Sequence, residues 1–436
     1  MLPLTEQQLN SIMERLNIAS LSEATIRQIV AVAAAAEKEA GEPFLHLEVG
    51  NPGLPPNVVG VTAEREALEA GVAAQYPPIM GVDELKKAGS RFVKAFLNVD
   101  VAPAHIVPSV GSMQGSFCMM LLLSYRDPER DTMLYLDPGF PPQHLQAKLV
   151  GLRQESFDIY SYRGDALEAK LEAVLASGRV TAMLYSNPNN PAWTNFTERE
   201  LEIIGRLATK YDVIVLEDLA YMGMDFRRDC GTPGREPFIP SVAHYTDNWV
   251  LLVSGSKIFS YAGQRVALVC MSDSVFNRHD PALEAFFGMK GLGNAYIFGV
   301  VYAVSSGVCH SAQIAMAAML NAAADGQLNF VGDCREYERR CRRAKKSFED
   351  AGFRLVYSTD DGAPVSDGFF FTSTYGDMDS ESLQRALMRH GVASISLPGT
   401  GSSMHGLRIC VSRLASDADI ETLDKRLKAF ANEQAH

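Results

Sequence analysis

Short runs of aliphatic and β-branched residues alternate with helical patterns between about residues 105 and 271. Because these runs are almost continuously apolar, they indicate strands that are buried on both faces. The strands are predicted at 106–110, 132–137, 180–186, 213–218, 248–254 and 266–271. Helices between successive strands favour an α/β fold, in which helices cover both faces of a mostly parallel sheet.

Thr197 and Glu200 mark the beginning of one of these connecting helices. Their spacing is that of a capping box, in which each side chain hydrogen-bonds the backbone of the other residue. Leu201, Ile204 and Ala208 then fall on one helical face. The segment is therefore predicted to be a crossover helix between two parallel strands.

The two ends of the chain are predicted to form a smaller α+β domain. A charged helical pattern, CREYERRCRRAKKSFEDAG at 334–352, is followed by the strand patterns FFFTSTY at 369–375 and LRICVS at 407–412. We expect residues 51–325 to form the large domain. Residues 1–50 and 326–436 are expected to be the N-terminal and C-terminal parts of the small domain.

Length, charge and cysteine content narrow the class of partner. A chain of 436 residues exceeds the usual size of a single core, and its formal net charge of −12 disfavours nucleic acid and anionic membranes as partners. The seven cysteines include no Cys-x-x-Cys pair, so neither a metal site nor a disulfide framework is expected. No signal peptide and no apolar run of spanning length is found, so we expect a cytoplasmic protein with small-molecule substrates.

Chemically useful side chains follow the predicted strands, at the edge where an open parallel sheet binds its ligands. A short Ser-x-Ser-Lys sequence alone is usually surface polarity, and Asn-Pro-Asn-Asn-Pro alone is usually a turn. Their convergence on one edge makes them a candidate site. Its members are Gly111, Ser112, Met113, Phe140, Asn190, Asp218, Tyr221, Ser254, Ser256, Lys257 and Arg265.

This set of groups matches the needs of pyridoxal 5'-phosphate, which requires a lysine, an acid, donors for its ring oxygen, a phosphate site and an aromatic face. Lys257 is expected to form the Schiff base (the internal aldimine) and to move the proton at the substrate Cα. Asp218 is expected to pair with the ring nitrogen, and Tyr221 and Asn190 with the ring oxygen. Phe140 supplies the stacking face.

The phosphate of that cofactor is expected at the beginning of the helix after the first strand. Backbone amides of Gly111, Ser112 and Met113 point outward from a helix N-terminus, which favours an anion. The expected side-chain donors are Ser254, Ser256 and Arg265.

In these motifs the sequence closely resembles the class I/II aminotransferases of the fold-type I pyridoxal-phosphate superfamily, over nearly its whole length. The shared motifs are Asn190-Pro191, Asp218-x-Ala220-Tyr221, Ser254-x-Ser256-Lys257 and Gly263-x-Arg265, in the family's order. The resemblance implies an enzyme that transfers an amino group from an amino acid to a 2-oxo acid. It also implies a homodimer with composite active sites.

The same resemblance assigns residues outside the predicted sheet. Tyr76 looks like the family's tyrosine that reaches the phosphate in the neighbouring subunit. Arg408 looks like the arginine that binds the substrate α-carboxylate, with Gly50 and Asn190 beside it, and a bidentate guanidinium suits that task.

Three features depart from the family's pattern. Ala192 and Trp193 stand where members commonly have Thr-Gly, and Phe140 stands where Tyr or Trp is common. The dicarboxylate-specific members bind the distal carboxylate with a partner-subunit arginine, and the matching stretch, YIFGVVYAVSSGV at 296–308, contains none.

Other functions remain open at this point. A pyridoxal-phosphate lyase or decarboxylase would share the same site, because the site fixes the cofactor and not the bond that breaks. An aminotransferase-like sensor domain of a regulator would need a basic DNA-binding module, for which neither the length nor the charge provides. A nicotinamide dehydrogenase would need a Gly-x-Gly-x-x-Gly turn, which is not found.

Overall fold

The six predicted strands and one further strand form a seven-stranded sheet in the computed structural model, which describes residues 2–435. The strands of the chain are β1 Leu45–His46, β2 Ile106–Ser109, β3 Thr132–Asp137, β4 Arg153–Asp158, β5 Val180–Ser186, β6 Ile214–Asp218, β7 Trp249–Ser254, β8 Ala267–Met271, β9 Arg354–Leu355, β10 Thr359–Asp360, β11 Ala363–Pro364, β12 Phe370–Thr374, β13 Val392–Ala393, β14 Ile395–Ser396 and β15 Leu407–Cys410. The order in the large sheet is β2-β8-β7-β6-β5-β3-β4. The predicted α/β class and mostly parallel sheet are confirmed.

Strand β4 is the member of this sheet that the apolar pattern did not predict. It lies at one edge of the sheet and begins RQES, and these four side chains are exposed. A strand whose side chains are solvated lacks the continuous apolar run by which buried parallel strands are recognised.

Strand β8 runs antiparallel to both of its neighbours, β2 and β7. In this register Ala267, at the beginning of β8, lies between Ser109 and Ser254, the last residues of β2 and β7. The segment that enters β8 therefore reaches the same edge of the sheet as the segments that leave β2 and β7.

Side chains of the large sheet alternate between two apolar clusters, one on each face. Leu251 and Val253 of β7 belong to one cluster, and Val250 and Leu252 belong to the other. This alternation follows from the two-residue period of a strand. Helices cover both faces, as predicted.

The helices are α1 Glu6–Arg15, α2 Ile26–Ala40, α3 Val58–Glu69, α4 Asp83–Leu97, α5 Gly111–Leu123, α6 Pro141–Leu149, α7 Asp165–Leu175, α8 Glu198–Lys210, α9 Gly255–Ile258, α10 Asp273–Phe276, α11 Pro281–Phe287, α12 Leu292–Asn294, α13 Tyr302–Val304, α14 His310–Ala324, α15 Phe330–Asp350, α16 Ser380–Arg389 and α17 Asp417–Gln434, with a π-helix at Ala295–Val301. The capping box of Thr197 and Glu200 is present at the beginning of α8. None of the helices described between residues 2 and 435 combines the length and the apolarity that a membrane crossing requires.

The C-terminal part of the chain, residues 327–435, builds a separate four-stranded sheet of order β14-β15-β12-β9. The N-terminal segment packs against this part: β1 pairs with β13, and the Leu4 amide donates to the Arg389 carbonyl. Both observations fit the expected small domain. Its boundaries after residues 50 and 325 stay a prediction.

Asp360 ties the C-terminal part to loops beside the large sheet. Its carboxylate, in the hairpin of β10 and β11, is 2% exposed. It accepts hydrogen bonds from Arg163 Nη1 at 2.9 Å, the Asn195 amide at 3.1 Å and Arg227 Nη2 at 2.6 Å. A buried carboxylate is stable only with such donors, so these contacts fix the hairpin against the loops that precede α7 and α8 and against the loop after β6.

Replacing Asp360 should therefore weaken the docking of the C-terminal part. We expect Asp360→Asn to lower the free energy of unfolding by about 2 kcal/mol, because Arg163 and Arg227 each lose a charge-assisted hydrogen bond while Glu200 and Asp225 still pair with them. Urea denaturation measures this change. Asp361→Asn is the control, since Asp361 is exposed and asparagine tolerates its positive φ of 52°. Equal stability of the two variants would contradict the predicted tie.

Candidate functional site

Lys257 lies in the turn that leaves β7. Ser254 Oγ accepts a hydrogen bond from the Ser256 amide at 3.2 Å and thereby caps α9, which carries the lysine. Both serines are buried, and Lys257 is partly buried. Its ammonium group lies over the ring of Phe369, 5.9 Å from the centroid.

Burial lowers the pKa of Lys257 to about 8. The positive charges of Arg265 and Arg408 lower it further, while Cys410 and Asp218 oppose the shift. An amine with such a pKa is partly unprotonated near neutral pH. Lys257 can therefore act as a nucleophile toward a carbonyl carbon, which a protonated lysine cannot do.

Asp218 ends β6, opposite Ser186 of β5 in the sheet register. It is 6% exposed, and its two carboxylate oxygens accept from the Ala220 amide at 3.1 Å and from Gln143 Nε2 at 2.9 Å. Burial raises the pKa of Asp218 to about 6, against the effect of these two hydrogen bonds and of Lys257. At pH 7 the group is a buried carboxylate with amide donors, which suits a cationic ring nitrogen.

Gln143 is the site residue that sequence reasoning missed. It is buried in the first turn of α6 and its backbone carbonyl accepts a hydrogen bond from Tyr135 Oη at 2.8 Å. Its position three residues after Phe140, on the same helical face, was the available signal. That signal was not sufficient, because Gln143 belongs to no motif that distinguishes it from any other glutamine in a helix.

Gly111 and Arg265 form a cradle at the beginning of α5. The φ of Gly111 is 66°, in the left-handed region that favours glycine, and a Cβ atom there would lie 2.4 Å from Arg265 Nη2. The Gly111 amide donates to the Arg265 carbonyl at 3.0 Å, so it is not available to a phosphate as the sequence suggested. Ser112 and Met113 follow at the helix N-terminus, where no side chain of the described residues caps the helix. Their amides and the guanidinium of Arg265 suit an anion.

Phe140 is partly buried and precedes Pro141, the first residue of α6. It lies after β3, at the edge that also carries the residues following β5, β6 and β7. Its stacking role stays a prediction.

Tyr221 is buried among aromatic rings. The ring centroids of Trp193, Phe369 and Phe370 lie 5.6, 5.4 and 5.4 Å from that of Tyr221. Burial raises the pKa of the Tyr221 hydroxyl, so the neutral phenol is available as a hydrogen-bond donor.

Arg408 on β15 meets Asn190 although more than two hundred residues separate them in sequence. Arg408 Nη1 donates to Asn190 Oδ1 at 3.4 Å, and Nη2 donates to the Glu48 carbonyl. The guanidinium lies 4.7 Å from the centroid of Phe370, against which Gly50 also packs. The structure therefore brings together Gly50, Asn190 and Arg408, and their role in binding a carboxylate stays a prediction.

The Arg408 side chain is 2% exposed, and its Nε atom has no hydrogen-bond partner among the described residues. Burial lowers the pKa of Arg408 from its ordinary value. A buried guanidinium with an unused donor attracts a carboxylate strongly, because little water competes for it.

Tyr76 differs from these residues in its exposure to solvent. It is 96% exposed, in the loop before α4. Such a side chain is free to contact a second molecule, and its cross-subunit role stays a prediction.

The chain matches a known protein family over most of its length. The family described as "Aminotransferase class I and II" matches residues 42–427. The chain is 25% identical to the probable aminotransferase TAT1 of Arabidopsis thaliana over 263 residues, which are 59% of this chain and 56% of that protein. It is 24% identical to the aspartate aminotransferase of Pyrococcus horikoshii over 243 residues, 54% of this chain and 57% of that protein. These matches span a little over half the length of either relative.

The fold is shared with solved structures over nearly the whole chain. A double mutant of the aspartate aminotransferase of Thermus thermophilus superposes with a TM-score of 0.74 at 18% sequence identity, covering 93% of this chain and 96% of that one. The fold-type I architecture predicted from the motifs is confirmed.

The hydrogen bond from Gln143 favours the ionised form of Asp218. Gln143→Leu should therefore raise the pKa of Asp218 above its value of about 6, by roughly one unit. A carbon-13 NMR titration of aspartate-labelled protein measures it, with the signal assigned by its loss in Asp218→Asn. Gln154→Leu is the control, because Gln154 hydrogen-bonds His144 instead. The same pKa in all three proteins would show that the Gln143 bond has no effect.

Proposed function

The chain belongs to the class I and II aminotransferase family, and on this premise we propose that it transfers an amino group from an amino acid to a 2-oxo acid. The observation that carries the proposal is the meeting of Lys257 with Asp218 and Arg265 at one edge of the sheet, where their charges affect the pKa of the lysine. Pyridoxal phosphate, the cofactor of this family, supplies an electron sink for the electrons of the substrate Cα–H bond.

The groups present fit that cofactor. The Gly111–Arg265 cradle excludes a Cβ atom and offers a cation for a phosphate, and Asp218 offers a buried carboxylate for a ring nitrogen. The residues proposed to hold the cofactor are Gly111, Ser112, Met113, Phe140, Asn190, Asp218, Tyr221, Ser254, Ser256, Lys257 and Arg265, with Tyr76 of a second subunit. Gly111 acts through its lack of a side chain and not through its amide.

Lys257 is proposed to have two roles. Its amine, which burial leaves partly unprotonated, would hold the aldehyde group of the cofactor covalently, with loss of water. When it is not bonded to the cofactor, the same amine would take up and hold the proton from the substrate Cα. Asp218 would pair with the ring nitrogen, and Tyr221 and Asn190 would donate hydrogen bonds to the ring oxygen.

Arg408 is proposed to bind the α-carboxylate of both substrates. Its unpartnered Nε and its contact with Asn190 support this role, because the guanidinium is held against the ring of Phe370 and retains an unused donor. A fixed guanidinium fork orients a carboxylate with two parallel hydrogen bonds. Orientation of the substrate places its Cα proton within reach of Lys257.

We further propose that the active unit is a homodimer. The exposure of Tyr76 supports a contact with a second copy of the chain, and aromatic and aliphatic side chains in the neighbouring helix α3 and in the π-helix region are exposed as well, namely Val58, Val61, Leu68, Phe298 and Tyr302. The cytoplasmic location expected from the sequence stays a prediction.

Loss of Lys257 tests the proposed activity directly. We expect Lys257→Ala to abolish both transamination and the covalent trapping of cofactor by borohydride, because no other amine replaces it. A panel of amino donors with 2-oxoglutarate measures the activity, and analysis of the products separates transfer from elimination or decarboxylation. Lys345→Ala should retain trapping, since Lys345 binds Asp367 and the Ser366 carbonyl in the C-terminal part. Full activity of Lys257→Ala would refute the assignment.

Mixing two impaired variants tests the composite site. If Tyr76 acts across the interface, a hybrid of Tyr76→Ala and Lys257→Ala chains gathers both defects into one site and leaves the other site intact. Activity should then reappear after subunit exchange. If Tyr76 serves its own chain, every site keeps one defect, and no activity returns even when hybrid dimers are shown to form.

A further inference from the structure

Trp193 has a backbone conformation that a bulky residue rarely adopts. Its φ is 61°, in the left-handed region that favours glycine. The turn is held by the Trp193 amide, which donates to the Asn189 carbonyl at 3.0 Å, and by Asn189 Nδ2, which donates to the Pro138 carbonyl at 2.8 Å. Such a conformation persists only where the surroundings enforce it.

The indole of Trp193 fills a slot that only glycine permits at Gly368. A Cβ atom on Gly368 would lie 2.1–2.2 Å from three atoms of the indole. The side chain is 0% exposed, and its Nε1 donor has no partner within residues 2–435. Trp193 therefore combines an unfavourable φ with a desolvated N–H group. Both features lower the stability of the folded chain, so stability alone does not account for tryptophan at this position.

The contacts of the indole explain why this position matters. The ring lies edge-on to Tyr221, with centroids 5.6 Å apart, and edge-on to Phe370, with centroids 6.1 Å apart. Phe370 in turn supports the guanidinium of Arg408. The indole thus contacts Tyr221, a proposed cofactor ligand. It also contacts Phe370, which supports Arg408, the proposed substrate ligand.

We propose that Trp193 is a positioning residue that, through Phe370, holds Arg408 at a fixed distance from Tyr221 before substrate binds. The proposal rests on the proposed function. A preformed distance between the carboxylate ligand and the cofactor ligand reduces the ordering that substrate binding must otherwise provide. Loss of the indole leaves the direct contact of Tyr221 with Phe370 but removes the ring that packs against both, so the distance between Tyr221 and Arg408 becomes less tightly fixed.

Trp193→Phe tests this role, and Trp249→Phe is its matched control. The chain contains two tryptophans, and Trp249 is also buried, at the beginning of β7 and so at the opposite end of that strand from Ser254. We expect both variants to lower the melting temperature. Only Trp193→Phe should raise KM for both the amino acid and the oxo acid, by about tenfold, with a smaller change in kcat.

Gly368→Ala provides a second variant that retains the indole. Its added methyl group displaces the ring from the slot and should also raise KM for both substrates. In the Trp193→Phe background the methyl meets fewer ring atoms, so the two effects should be less than additive. Additive effects would indicate that the two residues do not form one contact.

Fluorescence gives a readout that does not depend on turnover. In the Trp249→Phe protein, Trp193 is the only indole, and its emission should change when pyridoxal phosphate is added to the apoprotein and again when propionate, a non-reacting carboxylate, is added. Unchanged KM in Trp193→Phe and Gly368→Ala, with melting temperatures lowered as in the control, would overturn the positioning role. If the unaltered protein takes up no pyridoxal phosphate, the proposed function itself fails, and this inference fails with it.

Discussion

The pairing of β8 between β2 and β7, in the opposite direction to both, is the constraint on which the geometry of the site depends. It brings Ala267 between Ser109 and Ser254. The residues just beyond these positions are Arg265, Gly111 and Lys257. A parallel β8 would send its entering segment to the far edge of the sheet, and the guanidinium could not reach the beginning of α5.

Burial then determines the chemistry of the groups that this pairing collects. The same desolvation lowers the pKa of Lys257 and raises that of Asp218, because removal from water disfavours the charged form of each. The two pKa values, about 8 and about 6, lie on either side of neutrality. The site therefore holds a partly free amine and an ionised acid at the same pH, although their ordinary pKa values would make both groups fully charged.

Where apolar burial determines an element, the sequence predicts it. The six predicted strands begin and end within one residue of the predicted positions, because their apolar runs end where the chain leaves the core. The edge strand β4 has no such run. The hydrogen-bond partners of individual polar groups were not predicted either. Gln143 donates to Asp218, and the Gly111 amide donates to the Arg265 carbonyl, because folding brings distant segments together. A pattern along one chain does not specify which distant donor meets a given acceptor.

The fit of Trp193 against Gly368 has a consequence for how such sequences can diverge. With the indole in place, any side chain at residue 368 collides with it, so the two positions cannot change independently. A chain with glycine at residue 193 leaves the slot empty and allows a larger residue at 368. Across descendants of this sequence, the pair should behave as one inherited unit, in which the step away from tryptophan precedes any step away from glycine.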